Sequence, residues 1–135
     1  MDQSRATVDA KHVLLVLDDD PAVRDSLNFS LGIEGFDVRV YASPKEFLND
    51  NSLPAFGSCL IVDYHMPEMN GLDVIAKLRE RQSSMPAILM TGLPDAKLRQ
   101  RASAVGVLFV EKPIRGTALI ECVHALFDGE SKHSS

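Results

Sequence analysis

The residues of this chain best suited to chemistry are mostly acidic and fall in four short clusters. Asp18-Asp19-Asp20 form one run, Asp63 sits in IVDYHMPEMNG, Thr91-Gly92 end the string LMTG, and Glu111-Lys112-Pro113 end VEKP. Carboxylates crowded together repel, and partial burial raises their pKa values unless a cation intervenes. A hard divalent ion with oxygen ligands answers that need. Mg²⁺, octahedral at about 2.1 Å, accepts a few carboxylates and keeps waters that substrate oxygens can replace. With such an ion and the Lys112 ammonium in place, Asp18, Asp19 and Asp63 are formally balanced, and an incoming phosphoryl group meets favourable charge. A carboxylate is a weak nucleophile, but phosphoryl transfer depends mainly on positioning and charge stabilisation.

Two kinds of segment must position these groups. Short apolar runs at Val13–Leu17, Cys59–Val62, Ala87–Met90 and Val107–Val110 have the length and β-branched content of strands. They are apolar throughout, which predicts a parallel sheet covered on both faces. Phe36–Tyr41 instead alternates apolar and polar residues and predicts a half-exposed edge strand. Helical spacing appears in Val23, Leu27 and Leu31, in Leu72, Ile75 and Leu78, and in Leu119, Cys122, Val123 and Leu126. Asp20-Pro21 and Ser43-Pro44 read as an N-cap followed by a first-turn proline, and Pro94-Asp95 opens a further helix through Ala104, closed by Gly106. Five strands alternating with five helices predict a doubly wound α/β sandwich with right-handed crossovers. In such sheets the functional crevice lies beyond the carboxyl ends of the strands. Asp18–Asp20, Asp63, Thr91 and Lys112 all fall there.

The bulk properties fit that picture. At 135 residues the chain suits one compact domain with its own core. We expect a flexible N-terminus over 1–10, a folded domain over 11–127 and a polar, frayed tail over 128–135. The formal net charge of −5 and the lack of a basic stripe argue against direct nucleic-acid binding. Cys59 and Cys122 lie in apolar stretches and read as buried thiols, which suits a reducing cytosol. Met1–Ala10 carries Asp2 and Asp9 without an apolar core, unlike a secretory signal, and no apolar run approaches bilayer length. These features predict a cytoplasmic protein with no membrane partner.

The combination of Asp18-Asp19-Asp20 after an apolar run, Asp63 in IVDYHMPEMNG, Thr91 in LMTG and Lys112 in VEKP resembles the CheY-like receiver domain of bacterial two-component response regulators. The likeness runs from about Lys11 to Leu126. It implies a flavodoxin-like sheet of order 2-1-3-4-5, Asp63 as phosphoacceptor, and Mg²⁺ held by Asp19, Asp18, Asp63 and the backbone carbonyl of His65. It further implies that Thr91 and Lys112 contact phosphoryl oxygens and that Phe109 is an aromatic switch following Thr91. The donor would be a histidine kinase or phosphotransfer protein. The output would leave through helix four, strand five and helix five, to a downstream protein, a covalently linked output domain or a phosphorylation-dependent homodimer. Such a domain is a signalling phosphoacceptor and no enzyme beyond its own phosphorylation and dephosphorylation. No output domain follows Leu126, so the chain reads as stand-alone or as part of a longer regulator. Two departures stand out. The stretch from Thr91 to Lys112 is about one residue shorter than in many relatives, which puts the fourth helix in question. Leu93, two residues past Thr91, cannot orient an attacking water by hydrogen bonding, so slow unassisted dephosphorylation is expected.

Each feature taken alone has a plainer reading. Asp20 serves as an N-cap, Asp18-Asp19 as a solvated turn, Thr91-Gly92 as a turn, Lys112-Pro113 as a loop, in which a cis bond would aim the lysine inward, Phe109 as core, and Asn70-Gly71 as a helix entry. A rival enzyme reading is a haloacid-dehalogenase-type phosphatase with Asp18 as nucleophile and Asp20 as its second carboxylate, but it leaves Asp63 without a role. A third reading is a receiver-like interaction module that accepts no phosphate.

Overall fold

Three of the four continuous apolar runs give buried strands. The run Val107–Val110, expected to be covered on both faces, lies instead at an edge, with Leu108 37% exposed. The sheet they build is parallel throughout. The computed structural model describes residues 12–54, 56–114 and 117–134, with side chains to Asp128. The elements, in chain order, are β1 (Val13–Leu17), α1 (Pro21–Ile33), β2 (Asp37–Tyr41), α2 (Pro44–Leu48), β3 (Ser58–Asp63), α3 (Gly71–Glu80), β4 (Ala87–Thr91), α4 (Ala96–Ala104), β5 (Leu108–Glu111) and α5 (Ala118–Ser134). The five strands pair in the order β2-β1-β3-β4-β5, as expected, so β2 and β5 form the edges. Every neighbouring pair is parallel, for example Leu17 opposite Val62 and Thr91 opposite Glu111.

Strand alternation splits the core into two layers. Leu14, Val16, Cys59, Ile61, Ile88, Met90 and Val110 face α1 and α5, whose Leu27, Leu31, Leu119, Val123 and Phe127 cover them. Leu15, Leu17, Leu60, Val62 and Leu89 face the other way, onto Phe47 of α2, Leu72, Val74, Ile75 and Leu78 of α3, and Leu98 and Ala102 of α4. Each such large side chain contributes about 1.5–3 kcal/mol by leaving water. Cys59 is buried, while Cys122 is only half-buried. The expected alternation in β2 is blunted at its end, because Val40 remains 38% exposed. No helix among the described residues is long and apolar enough to cross a membrane.

The helix ends follow local chemistry. Asp20, Ser43 and Asp95 each accept a first-turn backbone N–H as N-caps, and Asn70 forms a reciprocal capping box with Asp73. One expectation fails. The backbone is helical from Ala118 to Ser134, through the stretch from 128 onward where a frayed tail was expected. No proline interrupts that stretch, and an internal glycine only weakens a helix by about 1 kcal/mol. The 1–10 segment lies outside the described residues.

The turn after α3 carries a local strain. Ser83 N–H donates to the Leu78 carbonyl and Gln82 N–H to that of Arg79, the paired bonds of a Schellman ending. The same pattern closes α1 at Gly35 and α4 at Gly106, both at positive φ, but here the left-handed position holds Gln82 at φ 62°. Gln82→Gly is expected to raise stability by about 1 kcal/mol, read from urea denaturation. A loss of stability would contradict this account of the turn.

Beyond β2, the chain is tied by Asp50, whose carboxylate accepts from Tyr41 Oη at 2.6 Å and from Ser52 Oγ at 2.6 Å and N–H at 2.8 Å. Hydrogen bonds from Ser52 and then Tyr41 hold the Asp50 pKa down to about 2. Burial, reinforced by Asp50, pushes Tyr41 up to about 12. The depressed carboxyl contributes stability that is complete above its ordinary value of 3.8 and is lost as pH falls towards about 2. Asp50→Asn should therefore flatten the fall of stability across that acid window, measured by denaturation at a series of pH values. An unchanged slope would show that the tie is not formed.

Candidate functional site

Three side chains meet at the carboxyl edge of the sheet because strand parity sends them to one face. Asp18, Asp63 and Lys112 each lie two residues past a strand residue that faces α1 and α5, namely Val16, Ile61 and Val110. Lys112 Nζ lies 2.8 Å from Asp18 Oδ2 and 3.0 Å from Asp63 Oδ1. Asp18 is fully buried and Asp63 is 5% exposed. The other Asp18 oxygen, Oδ1, accepts the Asp20 N–H at 2.9 Å, and the Asp18 backbone carbonyl accepts from Arg24 Nη1 at 2.8 Å. Asp19 is exposed, yet carboxylate oxygens of Asp18, Asp19 and Asp63 all lie within 4.8 Å of one another. Three hard oxygen donors at that spacing fit a divalent cation such as Mg²⁺.

The electrostatics follow from burial and crowding. Burial pushes the Asp63 pKa up, the Lys112 hydrogen bond pulls against that rise, and the charges of Asp18 and Asp19 add to it. Burial disfavours the Lys112 ammonium, but its hydrogen bonds to Asp18 and Asp63 outweigh this and hold its pKa above the ordinary value. The site therefore sets an ammonium beside a carboxylate whose charge it only partly compensates.

The remaining predicted residues lie on β4, β5 and the loops that follow the strands. Thr91 ends β4, is fully buried, and accepts the Leu93 N–H at 3.0 Å on its Oγ1. Its carbonyl accepts the Lys112 N–H at 2.8 Å, which joins β4 to the lysine. His65 lies exposed in the loop after β3, its ring edge-on to Tyr64. Phe109 is half-buried against the α3 and α4 side of the sheet, on the edge strand. The Lys112–Pro113 bond is cis. Asp20 stands apart from the acidic cluster: its carboxylate caps Ala22 N–H at 2.9 Å. That removes the second carboxylate which the phosphatase reading needs.

Two contributors escaped sequence reasoning. Gly71, read there as a helix entry, is packed so closely that a Cβ would lie 2.6 Å from the Asp63 carbonyl oxygen and 2.8 Å from Leu89 Cδ1. Only glycine lets α3 start directly against the backbone of the central carboxylate. Arg24 follows four residues after Asp20, one turn into α1, so its reach back to Asp18 becomes visible only once the N-cap is placed. A shallow groove of about 460 Å³ between α1 and Lys112–Ile114 borders the site.

Residues 14–124 match the family model of the response regulator receiver domain. The chain belongs to that family. This receiver domain is 38% identical over 112 residues to the transcriptional regulatory protein FixJ of Bradyrhizobium diazoefficiens, covering 80% of this chain and 54% of that one. It is 37% identical over 118 residues to the response regulator protein TodT of Pseudomonas putida, covering 87% and 52%. The chain thus spans about half the length of these curated relatives. Among solved structures, the FixJ-N crystal structure superposes with a TM-score of 0.76 at 30% identity, over 84% of this chain and 91% of that one. A CheY-like receiver protein from Methanospirillum hungatei shares the fold, with a TM-score of 0.82 at 24% identity over 92% and 99%.

In this receiver domain the lysine also supports the fold. Lys112→Met leaves Asp18 buried without its cation, and a loss of about 2–4 kcal/mol is expected in urea denaturation. Unchanged stability would mean that the ion pair adds nothing to the resting fold.

Proposed function

We propose that Asp63 is the phosphoacceptor of this receiver domain, with residues 11–127 as the signalling unit. The observation that carries the reading is the Lys112 ammonium lodged between Asp18 and Asp63 in a cluster of carboxylates within 4.8 Å. A bound Mg²⁺, held by Asp18, Asp19, Asp63 and the His65 backbone carbonyl, would neutralise charge on the transferred group. An oxygen of Asp63 attacks phosphorus, the phosphorus–nitrogen bond of a phosphohistidine donor breaks, and the leaving imidazole keeps the electron pair and takes up a proton. Lys112 pairs with one phosphoryl oxygen. Thr91 donates its hydroxyl proton to another, and Phe109 turns inward as Thr91 moves.

Family membership supports a histidine kinase or phosphotransfer protein as donor, and a cytoplasmic setting. Because the matched relatives are about twice as long, a covalently linked output domain is a suitable receiver of the signal. A separate downstream protein or a phosphorylation-dependent homodimer would use the same face of α4, β5 and α5. The domain turns over no substrate beyond gaining and losing its own phosphoryl group.

Incubation with acetyl phosphate and Mg²⁺ should add one phosphoryl mass to the intact protein. The gain should vanish in Asp63→Asn and on chelation of the metal. Loss of the label should be slow, over minutes or longer, because Leu93 offers no hydrogen bond to an attacking water. A wild-type protein that gains no mass would favour the interaction-module reading, and retention of the label in Asp63→Asn would place the acceptor elsewhere.

A further inference from the structure

We infer that Arg99 is a latch that holds Phe109 in its half-buried resting position, against turning further inward, and so sets how readily the site accepts a phosphoryl group. The inference rests on the phosphoacceptor reading and on Phe109 as its mobile aromatic. The Arg99 guanidinium carbon lies 4.6 Å from the centre of the Phe109 ring, over its face. Arg99 Nη2 also lies 3.6 Å from Glu111 Oε1. Phe109 and Glu111 are two residues apart on edge strand β5, so they share a face, and one α4 side chain straps both. Glu111 is the direct register partner of Thr91. The strap therefore lies next to the residue through which the phosphoryl group would act.

The rest of α4 faces inward through Leu98 and Ala102, leaving Arg99 at the margin with its side chain 55% exposed. Its attachment to the body of the protein runs through the ring and the carboxylate. A guanidinium over an aromatic face is attracted by the ring quadrupole, and Glu111 keeps it there against water. When Phe109 turns further inward that attraction is lost, so Arg99 weights the equilibrium towards the half-buried resting ring. By linkage, whatever prefers the inward state must first overcome the latch, and its apparent affinity falls by the same factor. Turning also uncovers Arg99 and Glu111 together on the α4–β5 margin, which changes the charge pattern offered to a partner.

Beryllofluoride, a phosphoryl mimic, supplies the test on the full chain at saturating Mg²⁺, with the bound ¹⁹F resonance followed through a titration. Arg99→Met, which keeps the apolar stem and removes the charge, should bind about two- to fivefold more tightly than wild type. Arg99→Lys should retain most of the wild-type weakness. In a Phe109→Leu background, Arg99→Met should change the affinity hardly at all, because the ring it acts on is gone. Equal affinity in Arg99→Met and wild type would overturn the latch while leaving the phosphoacceptor reading intact. A full effect persisting in the Phe109→Leu background would overturn it too, since the arginine would then act by another route. A wild-type protein that binds no beryllofluoride would sink the phosphoacceptor reading itself, and the latch with it.

Discussion

One ammonium shared between two buried carboxylates sets the terms for the rest of this molecule. Asp18 and Asp63 lie almost entirely out of water, where an uncompensated charge costs several kcal/mol. Lys112 answers both, at 2.8 and 3.0 Å. Meeting that demand requires three separate strands, β1, β3 and β5, to end at one level and to send residues of the same parity to one face. The parallel register does this. Leu17 lies opposite Val62, and the β4–β5 pairing carries Lys112 just past the end of Thr91. A slip of one residue in any pair would turn its charged side chain towards the other layer of the core.

The two faces of the sheet divide the work. Charge collects on the side of α1 and α5, where Arg24 fixes the Asp18 backbone. Thr91 and Phe109 belong by parity to the opposite side, against α3 and α4. Strand β4 is where the sides communicate, because the Thr91 carbonyl accepts the Lys112 N–H at the end of the strand. The loop after β3 carries its own strain, with Glu68 at φ 73°, a left-handed conformation that non-glycine residues seldom adopt. Gly71 then closes the loop against the Asp63 backbone. Strain and close approach both fall in the segment that follows the central carboxylate.

Much of this was legible in the sequence, for definable reasons. Continuous apolar runs have few solutions other than buried parallel strands, and the Asp20-Pro21 and Ser43-Pro44 signals place helix starts by local chemistry alone. The strand-end rule then located Asp18, Asp63, Thr91 and Lys112 at one edge. Other features depend on distance in space. Nothing in the string GLDVIAKL shows that Gly71 lies under the Asp63 carbonyl, because that contact depends on how α3 approaches β3. Arg99 sits in the most polar of the helices and reads as a solvated residue until β5 is placed beside it. The C-terminal helix outran its expected end because composition signals solubility, whereas helix length depends on whether anything stops the backbone ladder. Gly129 alone does not.

The charge on the site explains why a hydroxyl is needed beside the lysine. Under the phosphoacceptor reading, a carboxylate with one negative charge is exchanged for a phosphoryl group carrying about two, while the cations stay the same. The site becomes more negative, and Lys112 is already committed to two partners. With a divalent ion bound, the three carboxylates already match the cations, so another buried cation would be unmatched in the resting state. A neutral donor avoids that penalty. Thr91 Oγ1 already accepts the Leu93 N–H, so its own O–H remains to be given, at no electrostatic cost at rest. The residue that would answer the added charge is therefore also the one paired with Glu111 on the edge strand. On that reading, sensing and relay would rest on one side chain, because a neutral, buried, strand-end donor suits both states of the site.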